Sequence, residues 1–235
     1  MTTTRTAAII GVGPGLGMSM ARLLGREGFR VALVSRSDAR HGGYLADLAE
    51  RGVEATAHVA DVTDADQLTS ALERIGDVEL AYYGPAPTLG EIVPITDMDV
   101  ATAWAALESV LPAVRTVNAV LPAMLKRGSG GLIFAGGLSS VRPMPMLGQL
   151  VLPVAALRNY ALTLNAALAE RGVYAGTLTI GGLVERGDIY AMVTAAPERF
   201  GPAAGHTLDP DRIADVAWDM YRGRDRAEEV FDAFQ

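Results

Sequence analysis

Short apolar runs recur along the chain, and a stretch with helical spacing follows most of them. Ala7 to Ile10 is the first run, and Met18 to Leu24 behind it reads as a helix. Phe29 to Val34 predicts a second strand, Ala39 to Arg51 a helix, Glu54 to Val59 a third strand and Val78 to Tyr83 a fourth. Met98 to Lys126 is one long helical segment in which Pro112 predicts a kink. Gly131 to Ala135 predicts a fifth strand, Leu147 to Arg171 a second long helix, and Val173 to Ile180 a sixth strand. Leu183 to Thr207 reads as irregular, and long irregular loops in a compact domain are usually functional. Asp209 as N-cap and Pro210 at the first helical position then open a last helix, and Glu229 to Asp232 reads as a short closing strand. This alternation predicts an α/β chain, residues 1–235 forming a single domain. Its core is a doubly wound parallel sheet of about seven strands with helices on both faces.

Composition narrows the classes. Half of the 235 residues are apolar but only 6% aromatic, so the core is expected to be aliphatic. A net charge of −7 argues against nucleic acid and anionic membranes. With no cysteine, disulfides, thiolate metal sites and cysteine nucleophiles are excluded. His41, His58 and His206 stand far apart, so no metal is expected, and no G-x-S-x-G elbow exists. The acid pairs Asp64 and Asp66, and Glu228 and Glu229, read as solvated surface. Thr2 to Thr6 lead into the first strand without a signal segment, and no run of ~18 uncharged apolar residues could span a bilayer, so a cytoplasmic protein is expected.

The most informative stretch is Ile9-Ile10-Gly11-Val12-Gly13-Pro14-Gly15-Leu16-Gly17, a strand, a tight turn and a helix start. Glycines suit a turn whose backbone angles are closed to other residues, and bare amides at a helix N-terminus suit a pyrophosphate. G-x-G-x-x-G is not met, because Leu16 stands at its third glycine; G-x-x-x-G-x-G is met by Gly11, Gly15 and Gly17. That spacing resembles the short-chain dehydrogenase/reductase family, and the likeness runs over nearly the whole chain. It implies a Rossmann-like fold and a nicotinamide dinucleotide, with Gly11, Gly13, Gly15, Leu16 and Gly17 around the phosphates.

At the end of the second strand an acid would hold the adenosine ribose. Ser35 removes that carboxylate and Arg36 offers a fork for a 2′-phosphate, so NADP(H) is expected over NAD(H). The resemblance gives Asp61 and Val62 the adenine contact, although Asp61 could equally cap the helix that follows. Where the family carries Asn-Asn-Ala-Gly, this chain reads Tyr82-Tyr83-Gly84-Pro85-Ala86-Pro87, with Gly84 near the nicotinamide ribose. The active-site asparagine falls on Ser109, and the serine on Leu138 by strict count or on Ser139 with a turn one residue longer. Register fixed on Ala155-Ala156-Leu157-Arg158 places the Tyr-x-x-x-Lys pair on Leu150 and Val154, neither able to carry a proton, with Pro153 disturbing the first helical turn. Gly181-Gly182 stands for the Pro-Gly beside the nicotinamide, and residues 183–207 for the substrate lid.

A proton donor, if one is used, must come from elsewhere: Ser139, Tyr83, Tyr190 and His206 are the candidates. The leading reading is an NADP(H)-dependent oxidoreductase acting on a small organic substrate that needs no strong donor, such as an iminium or a conjugated acceptor. The alternatives are a non-redox cofactor-binding protein (sensor, partner subunit or pseudoenzyme), or a lyase or cyclase reusing the pocket. The two long helical segments carry surplus apolar surface, and a homodimer or homotetramer is expected.

Overall fold

The computed structural model describes residues 5–85, 93–196, 198 and 205–234. The strands, in chain order, are β1 (Thr6–Ile10), β2 (Arg30–Ser35), β3 (Ala55–Val59), β4 (Leu80–Tyr83), β5 (Gly130–Gly137), β6 (Val173–Gly181), β7 (Leu183–Val184), β8 (Thr207–Leu208) and β9 (Glu228–Asp232). Seven of them form one sheet in the order β3-β2-β1-β4-β5-β6-β9, every pair parallel. The apolar runs become central strands because both of their faces are covered: all of β1 and all of β4 are buried.

Alternate side chains feed two cores. Ile9, Leu33, Tyr82 and Ile133 pack with α1 (Leu16–Arg26), α2 (His41–Glu50) and α8 (Pro210–Gly223). Ile10, Val34, Tyr83 and Phe134 face α3 (Ala65–Ile75), α5 (Leu111–Arg127) and α6 (Gly148–Leu168). The predicted doubly wound, Rossmann-like α/β architecture is therefore the observed one. Strand order reverses between β1 and β4, whose carboxyl ends open the crevice where such sheets bind ligands.

Three expectations need correction. The segment from Met98 to Lys126 is two helices, α4 (Val100–Glu108) and α5, separated at Ser109 and Val110. Pro112 lies in the first turn of α5, where a missing N–H costs nothing, so it starts a helix and does not kink one. Pro153 lies beyond the first turn of α6, which begins at Gly148. The segment 183–207 is not wholly irregular, since β7 pairs with β8 and α7 (Asp188–Ala195) stands between them. Its residues 197 and 199–204, like Ala86 and Pro87, lie outside the described residues. Asp209 caps α8 as expected, accepting from the Asp211 amide at 2.9 Å.

Candidate functional site

The glycine-rich turn is fastened to the neighbouring strand. The amides of Gly11 and Val12 both donate to the Val34 carbonyl, at 2.9 and 3.0 Å, so the turn sits beside the tip of β2. Gly11 has φ +81°, and a Cβ there would lie 2.5 Å from the Pro85 nitrogen, which brings the ends of β1 and β4 together. A Cβ on Gly17 would meet the Val12 Cα at 2.9 Å, whereas one on Gly13 would meet nothing within 4 Å. No side chain caps the N-terminus of α1, and no acid stands in its first turn. Its positive end is thus directed at the crevice without a resident carboxylate.

At the tip of β2 the Ser35 hydroxyl lies 2.7 Å from His41 Nε2 and donates to the Ser37 carbonyl at 3.0 Å. Arg36 is exposed beside it and acts electrostatically on Asp61. Hydrogen bonds from the Thr63 hydroxyl (2.7 Å) and amide (2.9 Å) hold the Asp61 carboxyl below the usual range. Asp61 is not the helix cap: Asp64 caps α3, accepting from the amides of Asp66 and Gln67. Val62 is buried next to it.

The positions matched to the catalytic set fall at the end of α4, in the turn after β5 and on α6. Ser109 ends α4 on the surface, its hydroxyl donating to the Ala106 carbonyl at 2.6 Å. Leu138 is buried, and its side chain fills the space beside Gly181. Ser139 and Val154 flank Gly137: a Cβ on that glycine would stand 3.5 Å from Val154 Cγ1 and 3.9 Å from Ser139 Oγ. Leu150 and Val154 are one turn apart on α6 and half-buried. Tyr83 is buried in the core against Phe134, and desolvation pushes its hydroxyl pKa up; Gly84 leaves room for the Tyr82 ring. Burial of this kind opposes a role for Tyr83 in passing protons.

Tyr190 lies half-buried on α7. His206 Nδ1 is 2.7 Å from the Ala233 carbonyl and its ring stacks on Phe234, so it is engaged by the C-terminal segment. Gly182 lies under the same segment, where a Cβ would come 2.9 Å from that of Ala233. The structure thus gathers Ser139 with Val154 but does not join Tyr83 or His206 to them.

Sequence reasoning missed the contacts between the segment after β6 and the glycine-rich turn. A Cβ on Gly15 would stand 3.0 Å from the Gly187 nitrogen and 3.1 Å from the Glu185 carbonyl oxygen. Asp188 then receives two hydrogen bonds from Arg40, both 2.8 Å, which hold its carboxyl below the usual range.

Comparison with known proteins agrees with this architecture. The family model described as short chain dehydrogenase matches residues 5–185. An uncharacterized oxidoreductase of Staphylococcus saprophyticus is 28% identical over 189 residues, covering 75% of this chain and 77% of the relative. Dehydrogenase/reductase SDR family member 4 of Mus musculus is 26% identical over 187 residues, and the match spans 76% of this chain but 66% of the mouse protein. Among solved structures, L-sorbose reductase from Gluconobacter frateurii, complexed with NADPH and L-sorbose, superposes with a TM-score of 0.82 at 18% identity, covering 98% of this chain and 96% of that one. An apo short chain oxidoreductase from Pseudomonas aeruginosa PAO1 containing an atypical catalytic center gives 0.82 at 18% identity, with 98% and 96% covered. The chain belongs to the short-chain dehydrogenase/reductase family of oxidoreductases, whose fold binds NAD(P). Among the described residues no helix is long and apolar enough to cross a membrane.

Proposed function

We propose that the protein binds NADP(H) in preference to NAD(H) and acts as an oxidoreductase on a small organic substrate without the family's Tyr-x-x-x-Lys donor. The observation that carries this reading is the contrast between the two halves of the crevice. On the phosphate side the features fit a dinucleotide: open space over Gly13, close packing at Gly17, and an uncapped α1 N-terminus. At the tip of β2, Ser35 has no carboxylate to repel a 2′-phosphate and Arg36 supplies a cation. Gly11, Gly15 and Leu16 complete the turn, Asp61 and Val62 the adenosine side, and Gly84 and Gly182 the nicotinamide side.

On the reacting side the donor pair is gone. Lys126 is the only lysine in the chain and Pro122 stands four residues before it, so no Tyr-x-x-x-Lys exists anywhere. When bound, a nicotinamide dinucleotide supplies the hydride chemistry itself. The chain's own part is to hold the dinucleotide and to wall the substrate with the apolar side chains of Leu150 and Val154. Such a wall excludes water and disfavours unpaired polar groups. Ser139, half-buried and, like Val154, beside Gly137, is the hydroxyl best placed to hydrogen-bond a substrate atom. An iminium or a conjugated acceptor suits this arrangement better than a simple ketone, whose reduction loses ~10²- to 10⁴-fold without a general acid.

The same apolar wall favours a second reading, a cofactor-binding protein without turnover. The test is to incubate the purified protein with NADPH and a panel of simple aldehydes and ketones while following the melting temperature. A raised melting temperature with negligible ketone reduction is expected. Brisk ketone reduction that survives Ser139→Ala and Tyr190→Phe, each made singly, would overturn the assignment of the missing pair. Turnover of an imine or enone panel separates the two readings.

A further inference from the structure

A bridge of four residues crosses the proposed cofactor groove, held near one end by several polar side chains and at the other by a single exposed ion pair. The bridge runs from Glu185 to Asp188. Its middle lies on the glycine-rich turn, with the Gly187 nitrogen 3.0 Å from where a Gly15 side chain would begin. Its root is Arg186, in the left-handed region at φ +65°, where a residue with a side chain persists only if its surroundings hold it. They do: Arg186 reaches Asp211 at 2.8 Å, the Ser19 hydroxyl at 3.2 Å and Asp209 at 3.7 Å, and Ser19 also donates to Asp211 at 2.6 Å.

The far end is Asp188, the first residue of α7, gripped on both oxygens by Arg40. Arg40 immediately precedes His41, whose ring is 2.7 Å from the Ser35 hydroxyl at the tip of β2. The guanidinium therefore stands at the 2′-phosphate end of the groove. Both side chains are more than half exposed, 54% for Arg40 and 62% for Asp188, so water competes strongly for this pair. Beside it the Tyr44 hydroxyl is buried, and Arg40, which acts on it through a side-chain hydrogen bond and its charge, can only donate, so among the described residues the Tyr44 O–H has no acceptor. A buried donor without an acceptor invites one.

We infer that Arg40 is an exchangeable specificity residue: the 2′-phosphate of NADP(H) takes its guanidinium from Asp188, and that exchange frees the start of α7 from the tip of β2. A phosphate dianion offers a guanidinium more charge than one carboxylate, and its further oxygens can accept from the Tyr44 hydroxyl. Since the bridge spans both the glycine-rich turn and the β2 tip, a dinucleotide lying along them must enter beneath it or displace it. Release at Asp188, with Arg186 still anchored, turns the bridge on a fixed root. NAD(H), which lacks the 2′-phosphate, has no means of making the exchange. The inference rests on the NADP(H) reading above.

The experiment is a fluorescence titration of the full chain with NADPH and with NADH, for the unmodified protein, Asp188→Asn, Arg40→Ala and the double variant. Asp188→Asn should bind NADPH several-fold more tightly, because the competitor for Arg40 is weakened. Arg40→Ala should bind NADPH roughly tenfold or more weakly with NADH little changed, and the gain from Asp188→Asn should vanish in the double variant. Limited proteolysis within α7 should rise on adding NADPH to the unmodified protein but not on adding NADH. No NADPH preference in the unmodified protein would overturn the underlying reading and this one together. A clear preference with no gain in Asp188→Asn, or with the two substitutions simply additive, would overturn the exchange alone.

Discussion

Gly17 lies so close beneath Val12 that a methyl group on it would stand 2.9 Å from the Val12 Cα and 3.3 Å from its carbonyl carbon. These are backbone atoms, so they cannot swing aside. Gly17→Ala is therefore expected to force the turn open, destabilising the fold by ~1–3 kcal/mol and weakening NADPH together. Gly13→Ala separates the two effects. With nothing within 4 Å of its Cβ, it should leave the ligand-free melting temperature almost unchanged and still weaken NADPH. Thermal melts with and without NADPH check both; full NADPH affinity in Gly13→Ala would show that the open space above it is not where the phosphates lie.

Acid stability is expected to depend on Glu228, which ties the edge strand β9 to α6 and β6. It accepts from Arg158 at 2.7 and 2.5 Å and from the Thr179 hydroxyl at 2.6 Å, and the Arg158 hydrogen bonds are the main cause of its lowered pKa. A carboxyl whose folded pKa is depressed stabilises fully above its ordinary value of 4.5, and that contribution disappears as pH falls through the folded value. Glu228→Gln should cost ~1.5–3 kcal/mol at pH 7 and flatten the acid limb of the stability curve. Urea unfolding at a series of pH values tests this, and an acid limb identical to that of the unmodified protein would contradict it.

Self-association is expected through α4. Val100 (84% exposed), Trp104 (66%), Leu107 and Leu111 recur at helical spacing, an exposed apolar stripe continuing from α4 into the start of α5. Sedimentation at micromolar concentration should give a dimer or tetramer. Trp104→Glu should shift it toward monomer, since a buried aromatic anchor is commonly worth ~2 kcal/mol or more. A monomeric unmodified protein would refute the association.

Local signals were the legible ones. The turn of Gly11, Gly15 and Gly17, the strand alternation and the Asp209-Pro210 helix start each depend on neighbours in sequence, so each is visible there. The break at Ser109 and Val110 carries no glycine to announce it, so in the sequence alone Pro112 reads as a kink. Asp64 was recognisable as the cap, because Gln67 stands three residues on and its side chain returns to Asp64 at 2.8 Å. His41 bonds the Ser35 hydroxyl only six residues away, but no residue pattern between them marks that contact. The Arg40 to Asp188 pair joins positions 148 apart, and nothing local marks either residue. Long-range pairing is a property of the fold, and only the folded chain reveals it.

The most direct measurement is the ratio of NADPH to NADH dissociation constants, taken by titration before and after Arg36→Ala. NADPH should bind the unmodified protein more tightly. Arg36→Ala should weaken NADPH by roughly ten- to a hundredfold, the equivalent of one charge-assisted hydrogen bond, and leave NADH within about twofold. Equal affinity for the two cofactors in the unmodified protein, or equal loss of both in the variant, would contradict a 2′-phosphate site at the tip of β2.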